Sequence, residues 1–391
     1  MDPTNLTNPA GAFARSLAPA ILGVGMIASA LVTGITSAAE AAAEPPQITR
    51  YVAVDNVCAW PQLTVLRDGT IAAILHNQPA HGQREGDVEC WTSADGEFWR
   101  KAGMPTQHEP NTIRMNHAAG LAKSGDLLVL CSGWTDEKQP QRPKQAAFRD
   151  DILRSWVCRS GDGGKTWTQH KEFVAPETGW TEFIPFGPIF VGEDGALHTS
   201  CYSGEFADPT KSTKTKTYRS WHFRSDDDGK TWKPVSVIGE KHNETSILHL
   251  GSKRWLAAAR IDAVELFRSD DDGATWKGPQ RVTELNEINA HLLRLKDGRL
   301  LLSYGNRVKD QFGVLAKLSS DDGKTWGEPI RIAHTLASDC GYPSSVQRAD
   351  GKIVTAYYAK AVANHERYHM GVAIWLPPDG SSKTKAQSSR K

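Results

Sequence analysis

The segment Ser160-Gly-Asp-Gly-Gly-Lys-Thr-Trp167 returns three times, as Ser225-Asp-Asp-Asp-Gly-Lys-Thr-Trp232, Ser269-Asp-Asp-Asp-Gly-Ala-Thr-Trp276 and Ser319-Ser-Asp-Asp-Gly-Lys-Thr-Trp326. A copy one residue shorter is Ser93-Ala-Asp-Gly-Glu-Phe-Trp99. The shared pattern, S-x-D-x-G-x-T-W, describes a self-contained turn. The Asp side chain accepts backbone N–H bonds, the Gly supplies a positive φ, and the Trp covers the apolar side. Apolar runs such as VELFR and VLAKL precede the copies, so each copy closes a hairpin. Repeats at a fixed spacing signal an array of like units, which limits the fold before any other feature is considered.

A second repeat interleaves with the first. It is an apolar run, a two-residue turn and another apolar run. The turns are Asp68-Gly69, Gly125-Asp126, Asp194-Gly195, Gly251-Ser252, Asp297-Gly298 and Asp350-Gly351. Asp-Gly between such runs is a strong hairpin signal. Two hairpins per unit make four antiparallel strands, and six such units closing on themselves make an all-β, six-bladed propeller, which also protects its sheet edges. The sixth unit lacks the Asp/Trp turn after Gly351. The strand near residues 48–54 (ITRYVAV) is expected to complete it.

Charge and cysteines exclude several functions. Across 391 residues, 46 Lys and Arg balance 45 Asp and Glu. No basic excess points to nucleic acid. The six cysteines (58, 90, 131, 158, 201, 340) contain no C-x-x-C pair, which excludes the common zinc-ribbon, thioredoxin-type and c-type haem motifs. Nor is there a P-loop, G-x-G-x-x-G, H-E-x-x-H or G-x-S-x-G pattern. The DDDG runs lack the distal Glu of a calcium loop, so no metal site and no cofactor is expected.

Residues 17–35 carry no charge, follow Arg15 and precede a small-residue stretch. They read as a signal peptide spanning 1–43, with a retained N-terminal anchor as the alternative. The propeller is expected over 45–378 and a basic, disordered tail over 379–391. Location is then secreted or periplasmic, with disulfides permitted and no stable membrane span after signal cleavage.

Aligning the six hairpins on their turns picks out residues at the start of each innermost strand, which face the axial funnel of a propeller. They are His117, Phe186, Glu244, Asn289 and Tyr342, with Cys58-Ala-Trp60-Pro61 in the first unit. After the second strands come His76-Asn77, Tyr202, Arg260, Arg307 and Tyr358. His291 shares the strand face of Asn289.

The S-x-D-x-G-x-T-W copies are Asp boxes, and together with the six hairpins the chain resembles the sialidase (neuraminidase) superfamily over nearly all of its length beyond the N-terminal segment. Asp boxes also occur in propellers with other functions, so they mark the fold and not the activity. The segment GYPSSVQRADGKIVTAYY is similar to the family segment that carries a nucleophilic Tyr, here Tyr342. Glu244 resembles the carboxylate paired with that Tyr. Arg260 and Arg307 match two arginines of the carboxylate-binding triad. A Tyr hydroxyl is a weak nucleophile with a pKa of ~10 and needs a base. Sialidases with a Tyr nucleophile are a known departure from two-carboxylate glycoside hydrolysis. Arginine's planar fork suits an anionic sugar.

Two signature elements differ. Ala59-Trp60-Pro61 stands where the family carries Arg-Ile-Pro. The loop after the first hairpin offers His81 and Asp87 as acid/base candidates in place of the expected Asp, with His81 at the better offset. The resemblance therefore implies an exo-glycosidase acting on a terminal anionic sugar, sialic acid or another acidic or sulfated glycan. Tyr342, Glu244, His81, Asp87 and His117 are the catalytic candidates. Arg260, Arg307, His291, Asn289, Trp60 and Tyr202 are the substrate-binding candidates. A lyase acting on a uronate-containing glycan through His and Tyr, and a non-catalytic glycan-binding propeller, stand as alternatives.

Overall fold

The computed structural model describes residues 47–379 except 59, 139–143, 145, 172 and 208–214. The expected signal segment and all of the expected tail but residue 379 lie outside the described residues. The strands, in chain order, form six blades. The first strand, β1 (Ile48–Asp55), stands apart from the first blade. That blade is β2 (Gln62–Val65), β3 (Ile71–His76), β4 (Val88–Ser93) and β5 (Arg100–Gly103). The second is β6 (Thr112–Leu121), β7 (Leu127–Thr135), β8 (Asp151–Ser160) and β9 (Thr168–His170). The third is β10 (Ile184–Val191), β11 (Leu197–Phe206), β12 (Thr215–Ser225) and β13 (Lys233–Glu240). The fourth is β14 (Thr245–Gly251), β15 (Arg254–Arg260), β16 (Val264–Ser269) and β17 (Lys277–Arg281). The fifth is β18 (Glu287–Arg294), β19 (Leu300–Asn306), β20 (Gly313–Ser319) and β21 (Ile330–His334). The sixth is β22 (Cys340–Gln347), β23 (Ile353–Ala359) and β24 (His369–Trp375), with β1 as its outermost strand.

The innermost strands meet in a closed cycle: β2 touches β6, then β10, β14, β18 and β22 follow, and β22 returns to β2. The expected closure by the N-terminal strand is present, with Ile48 opposite Trp375 and Asp55 opposite His369. One feature goes beyond the repeat pattern. Residues 187–189 of β10 pair in parallel with 118–120 of β6, fusing the second and third blades into one eight-stranded sheet.

Middle strands such as β19 and β23 are buried along their whole length. Both of their faces pack against neighbouring blades, which is why their sequences are continuous apolar runs and do not alternate. Leu63 and Ile71 of the first blade and Val354 and Val372 of the sixth belong to one such interblade cluster. All six cysteines are buried and free. Among the described residues no helix is long and apolar enough to cross a membrane.

Each Asp box closes the hairpin between the third and fourth strands of its blade. In the third blade Ser225 Oγ donates to Asp227 at 2.8 Å, the Gly229 amide donates to Ser225 Oγ at 2.8 Å, and the Thr231 amide donates to Asp227 at 2.9 Å. The Trp232 indole N–H then caps the Gly229 carbonyl at 3.1 Å. The boxes at 160–167 and 319–326 repeat the pattern. At 269–276 the Trp276 indole donates to Ser236 Oγ instead. The hydroxyl and amide of Thr275 hold the Asp271 carboxyl down at about 2. These groups satisfy one another, so the box is a structural clasp.

Candidate active site

Local backbone irregularity aims the funnel residues. Register slips interrupt β6 between Arg114 and Asn116, β10 between Phe186 and Phe190, β18 between Ile288 and His291, and β22 between Gly341 and Ser344. A bulge re-aims a side chain that the pleat would otherwise direct into the sheet. Trp60, Asn289 and Tyr342 sit at φ of 43°, 59° and 49°, a region costly for residues with a Cβ, and such strain clusters at functional sites. Gly341 permits the turn at Tyr342. Its own φ is 110°, and a Cβ there would lie 2.9 Å from the Gly305 backbone of the adjacent blade.

A cavity of about 160 Å³ opens among these residues. Trp60, His81, His117, Tyr202, Glu244 and Tyr342 line it, so six of the sequence candidates share one cavity. Asn116, Trp134 and Arg149 help complete the wall. Asn116 and Arg149 belong to neither repeat register, and the sequence gives no signal for them.

The core of the site joins the fourth, fifth and sixth blades. The Tyr342 hydroxyl donates to Glu244 Oε1 at 2.5 Å. Arg260 donates to Glu244 Oε2 and, at 3.1 Å, to the Tyr342 oxygen. Asn289 Nδ2 donates to Glu244 Oε2 at 2.6 Å, while its Oδ1 is buried with no partner among the described residues. Burial, reinforced by the Glu244 charge, pushes the Tyr342 hydroxyl well above its usual range against the opposing pull of Arg260 and Arg307. Tyr342 is therefore protonated at rest, with an acceptor for its proton already in contact. Burial works against the Arg260 charge, but Glu244 and Tyr342 outweigh it and raise the guanidinium's pKa.

A second cluster centres on Asp339, a residue not singled out by the sequence. His81 Nδ1 lies 3.1 and 3.2 Å from its two oxygens. Tyr358 donates to Oδ1 at 2.5 Å, and Tyr368 donates to Oδ2. Burial acts to raise the Asp339 pKa, but His81 and the two hydroxyls hold it well below the usual carboxylate range. Arg307 Nη2 donates to the Tyr358 oxygen at 2.8 Å and Nε to the Cys340 carbonyl at 3.1 Å. The only sequence signal for Asp339 is its place three residues before Tyr342.

Other candidates lie elsewhere. Asp87 is a correction: it does not line the cavity. Its carboxylate accepts Thr106 Oγ1 at 3.0 Å and the His108 amide and ring at 2.7 Å, fixing the loop after β5. His117 reaches the cavity, but both ring nitrogens face backbone carbonyls, of Met115 and Ile74, and burial pushes the ring down to about 4. Both ring nitrogens are taken up by the backbone, so the ring braces the wall and offers neither nitrogen to a substrate. His291 lines a smaller cavity of about 20 Å³ that shares Trp60 and Tyr342 with the larger one. It accepts the Ser345 amide at 3.3 Å, and burial pushes it to about 4. Trp60 packs edge-on to His81 at 5.0 Å and to Tyr342 at 6.3 Å, filling the wall where the resemblance places an arginine.

Six Asp-boxed or strand-completed blades, with a Tyr/Glu/Arg cluster at the funnel, define a sialidase-like β-propeller. The model for the BNR repeat-like domain matches residues 54–355, and the chain belongs to that family. Among solved structures, a Dyadobacter fermentans protein of unknown function aligns with a TM-score of 0.72 at 21% identity, covering 85% of this chain and 99% of that one. The Hadza microbial sialidase Hz136 aligns at 0.61 and 15% identity, over 82% of this chain and 65% of its own. Trypanosoma rangeli sialidase, in complex with the inhibitor DANA, aligns at 0.61 and 15%, over 82% and 55%. The chain thus spans less than two thirds of either sialidase's own length. At these identities the likeness establishes the fold. No curated protein matches the sequence.

Proposed function

We propose that the protein is a glycoside hydrolase that removes a terminal anionic sugar. The observation that carries this reading is the contact of Tyr342 and Glu244 across two blades, with Arg260 on both. Tyr342 Oη attacks the anomeric carbon as its proton passes to Glu244, which overcomes the weak nucleophilicity of a neutral phenol. His81, oriented by Asp339, protonates the departing glycosidic oxygen. Water then attacks the glycosyl–tyrosine bond with neutral His81 as base, and Tyr342 recovers its proton from Glu244. Arg260 and Arg307 offset the negative charge of the substrate near the reacting carbon, and Arg149 adds a cation on the cavity wall. The segment 1–43 directs the propeller out of the cytoplasm in this reading.

The test is release of fluorophore from a panel of 4-methylumbelliferyl glycosides, sialoside and uronides included, by wild type and by Tyr342→Phe. Turnover by the wild type that the Phe variant loses supports the proposal, and equal turnover by both removes Tyr342 as nucleophile. A lyase reading draws on the same His81–Asp339 pair, which suits proton abstraction beside a uronate carboxylate. An unsaturated, ultraviolet-absorbing product from a uronate polymer would favour it over hydrolysis.

A further inference from the structure

At the opposite end of the blades from the funnel, one seam departs from the others. The residue paired with the one preceding the Asp-box Ser is Ala72 in the first blade, Leu128 in the second, Leu256 in the fourth and Leu301 in the fifth. In the third blade it is His198, fully buried in the same packed layer. His222 occupies the position held by Val157 in the second blade.

The tautomers follow from the hydrogen bonds. Both rings are fully buried, and a neutral imidazole carries a single N–H. His222 Nδ1 faces the Gly273 carbonyl at 3.1 Å, and a carbonyl only accepts, so Nδ1 carries the proton. His222 Nε2 is then an acceptor. His198 Nδ1, 2.9 Å away, must donate to it. His198 Nε2 is left with a bare lone pair, buried and without a partner among the described residues.

The His198 ring stands beside two carboxylates. Ligand atoms of Asp194, His198 and Asp272 all lie within 4.8 Å of one another. Three electron-pair donors this close together offer a cation a ready set of ligands. Gly192 keeps the space open, because a Cβ there would stand 2.7 Å from His198 Nε2 and 3.0 Å from Asp194 Oδ1. Arg224 contacts Oδ2 of Asp194 at 2.5 Å and of Asp272 at 3.3 Å, and also pairs with Asp226. On the other oxygens, Asp194 accepts the Ala196 amide and Asp272 the Trp255 indole. Each oxygen retains a second lone pair. These contacts orient the carboxylates as outer partners orient metal ligands, and His222 does the same for His198.

We propose that Asp194, His198 and Asp272 form a binding site for a divalent transition-metal cation, with zinc the best match to one imidazole and two carboxylates, joining the third blade to the fourth. The donor set is of the type that Zn²⁺ accepts. The proposal is independent of the funnel chemistry. It changes the reading of the DDDG run at 270–273, whose ligands are completed by a histidine from another blade and not by a distal Glu.

The test uses the full chain, stripped with chelator and titrated with ZnCl₂ by calorimetry, with thermal melting alongside. The expected result is about one zinc per chain and a melting temperature that rises with added zinc. His198→Leu, which installs the residue of three other blades, should fold and lose affinity by roughly 100-fold or more. Gly192→Ala should weaken binding without removing a ligand, and Asp194→Asn serves if the Leu variant fails to fold. Binding of less than about a tenth of an equivalent by wild type, or unchanged binding by the folded variants, overturns the proposal.

Discussion

The two ends of the blades use polar side chains in opposite ways. At the Asp-box end one pattern is repeated: Ser, Asp and Thr satisfy each other within a single turn, and a Trp seals it. At the funnel end each blade brings a different residue, on its innermost strand or just before it: Trp60, His117, Phe186, Glu244, Asn289 and Tyr342. Glu244, Asn289 and Tyr342 come from three blades and are completed only by contact across them. Local satisfaction gives stability that each blade holds by itself. Cross-blade satisfaction on bulged, positive-φ backbone gives little stability for its strain, and it positions reactive groups. The third-to-fourth blade seam differs from the other Asp-box seams because a buried His198 ring stands there beside carboxylates of two blades.

Four experiments would break or sharpen this contrast. The largest effect is expected at Tyr342. Its change to Phe should lower kcat by roughly 10³-fold or more, as loss of a nucleophile does. The melting temperature should hold, because Glu244 keeps Arg260 and Asn289 as partners. A large loss of stability with retained turnover would reverse the assignment of the two ends. Next is Trp232, buried in the interblade core of the second and third blades. Trp232→Ala should cost about 3–5 kcal/mol in denaturant unfolding and leave turnover per folded molecule unchanged.

The third experiment is acid unfolding. His198, His222 and His291 are each pushed down to about 4 by burial. The unfolded chain binds protons near pH 6.5 that the folded chain refuses. Stability therefore falls as pH drops from 6.5 toward 4, by up to about 1.4 kcal/mol per pH unit for each such ring. Equilibrium unfolding across that range checks it, and a flat profile would show that these rings are not buried neutral. Zinc at the His198 site should steepen the loss in wild type and leave His198→Leu less sensitive. The smallest effect is expected at Asp339. Asp339→Asn keeps the shape of the carboxylate but removes the acceptor that orients His81, Tyr358 and Tyr368. A modest fall in kcat, about 10-fold or less, is expected with KM little changed. An unchanged kcat would make Asp339 a structural partner only.

Much of the fold was legible because both of its repeats are short-range. An Asp-Gly turn between apolar runs and an S-x-D-x-G-x-T-W clasp each specify a hairpin from under a dozen neighbouring residues. Counting back from the turn then located Glu244, Asn289 and Tyr342, since an antiparallel ladder converts distance along the chain into height in the blade. The count failed where the chain leaves the ladder. Asp87 closes the loop before β4 but turns toward Thr106 and His108 of the loop after β5.

Asp339 became visible only through His81, 258 residues earlier in the chain. His198 reads from sequence as one more strand residue until Asp272 arrives from the next blade. The sequence by itself determined the blades, their number and the heights of the side chains along them, because those follow from local turn chemistry and strand period. Only the tertiary structure decided which of those side chains meet, because ring closure, bulges and blade-to-blade packing set contacts that no local pattern encodes.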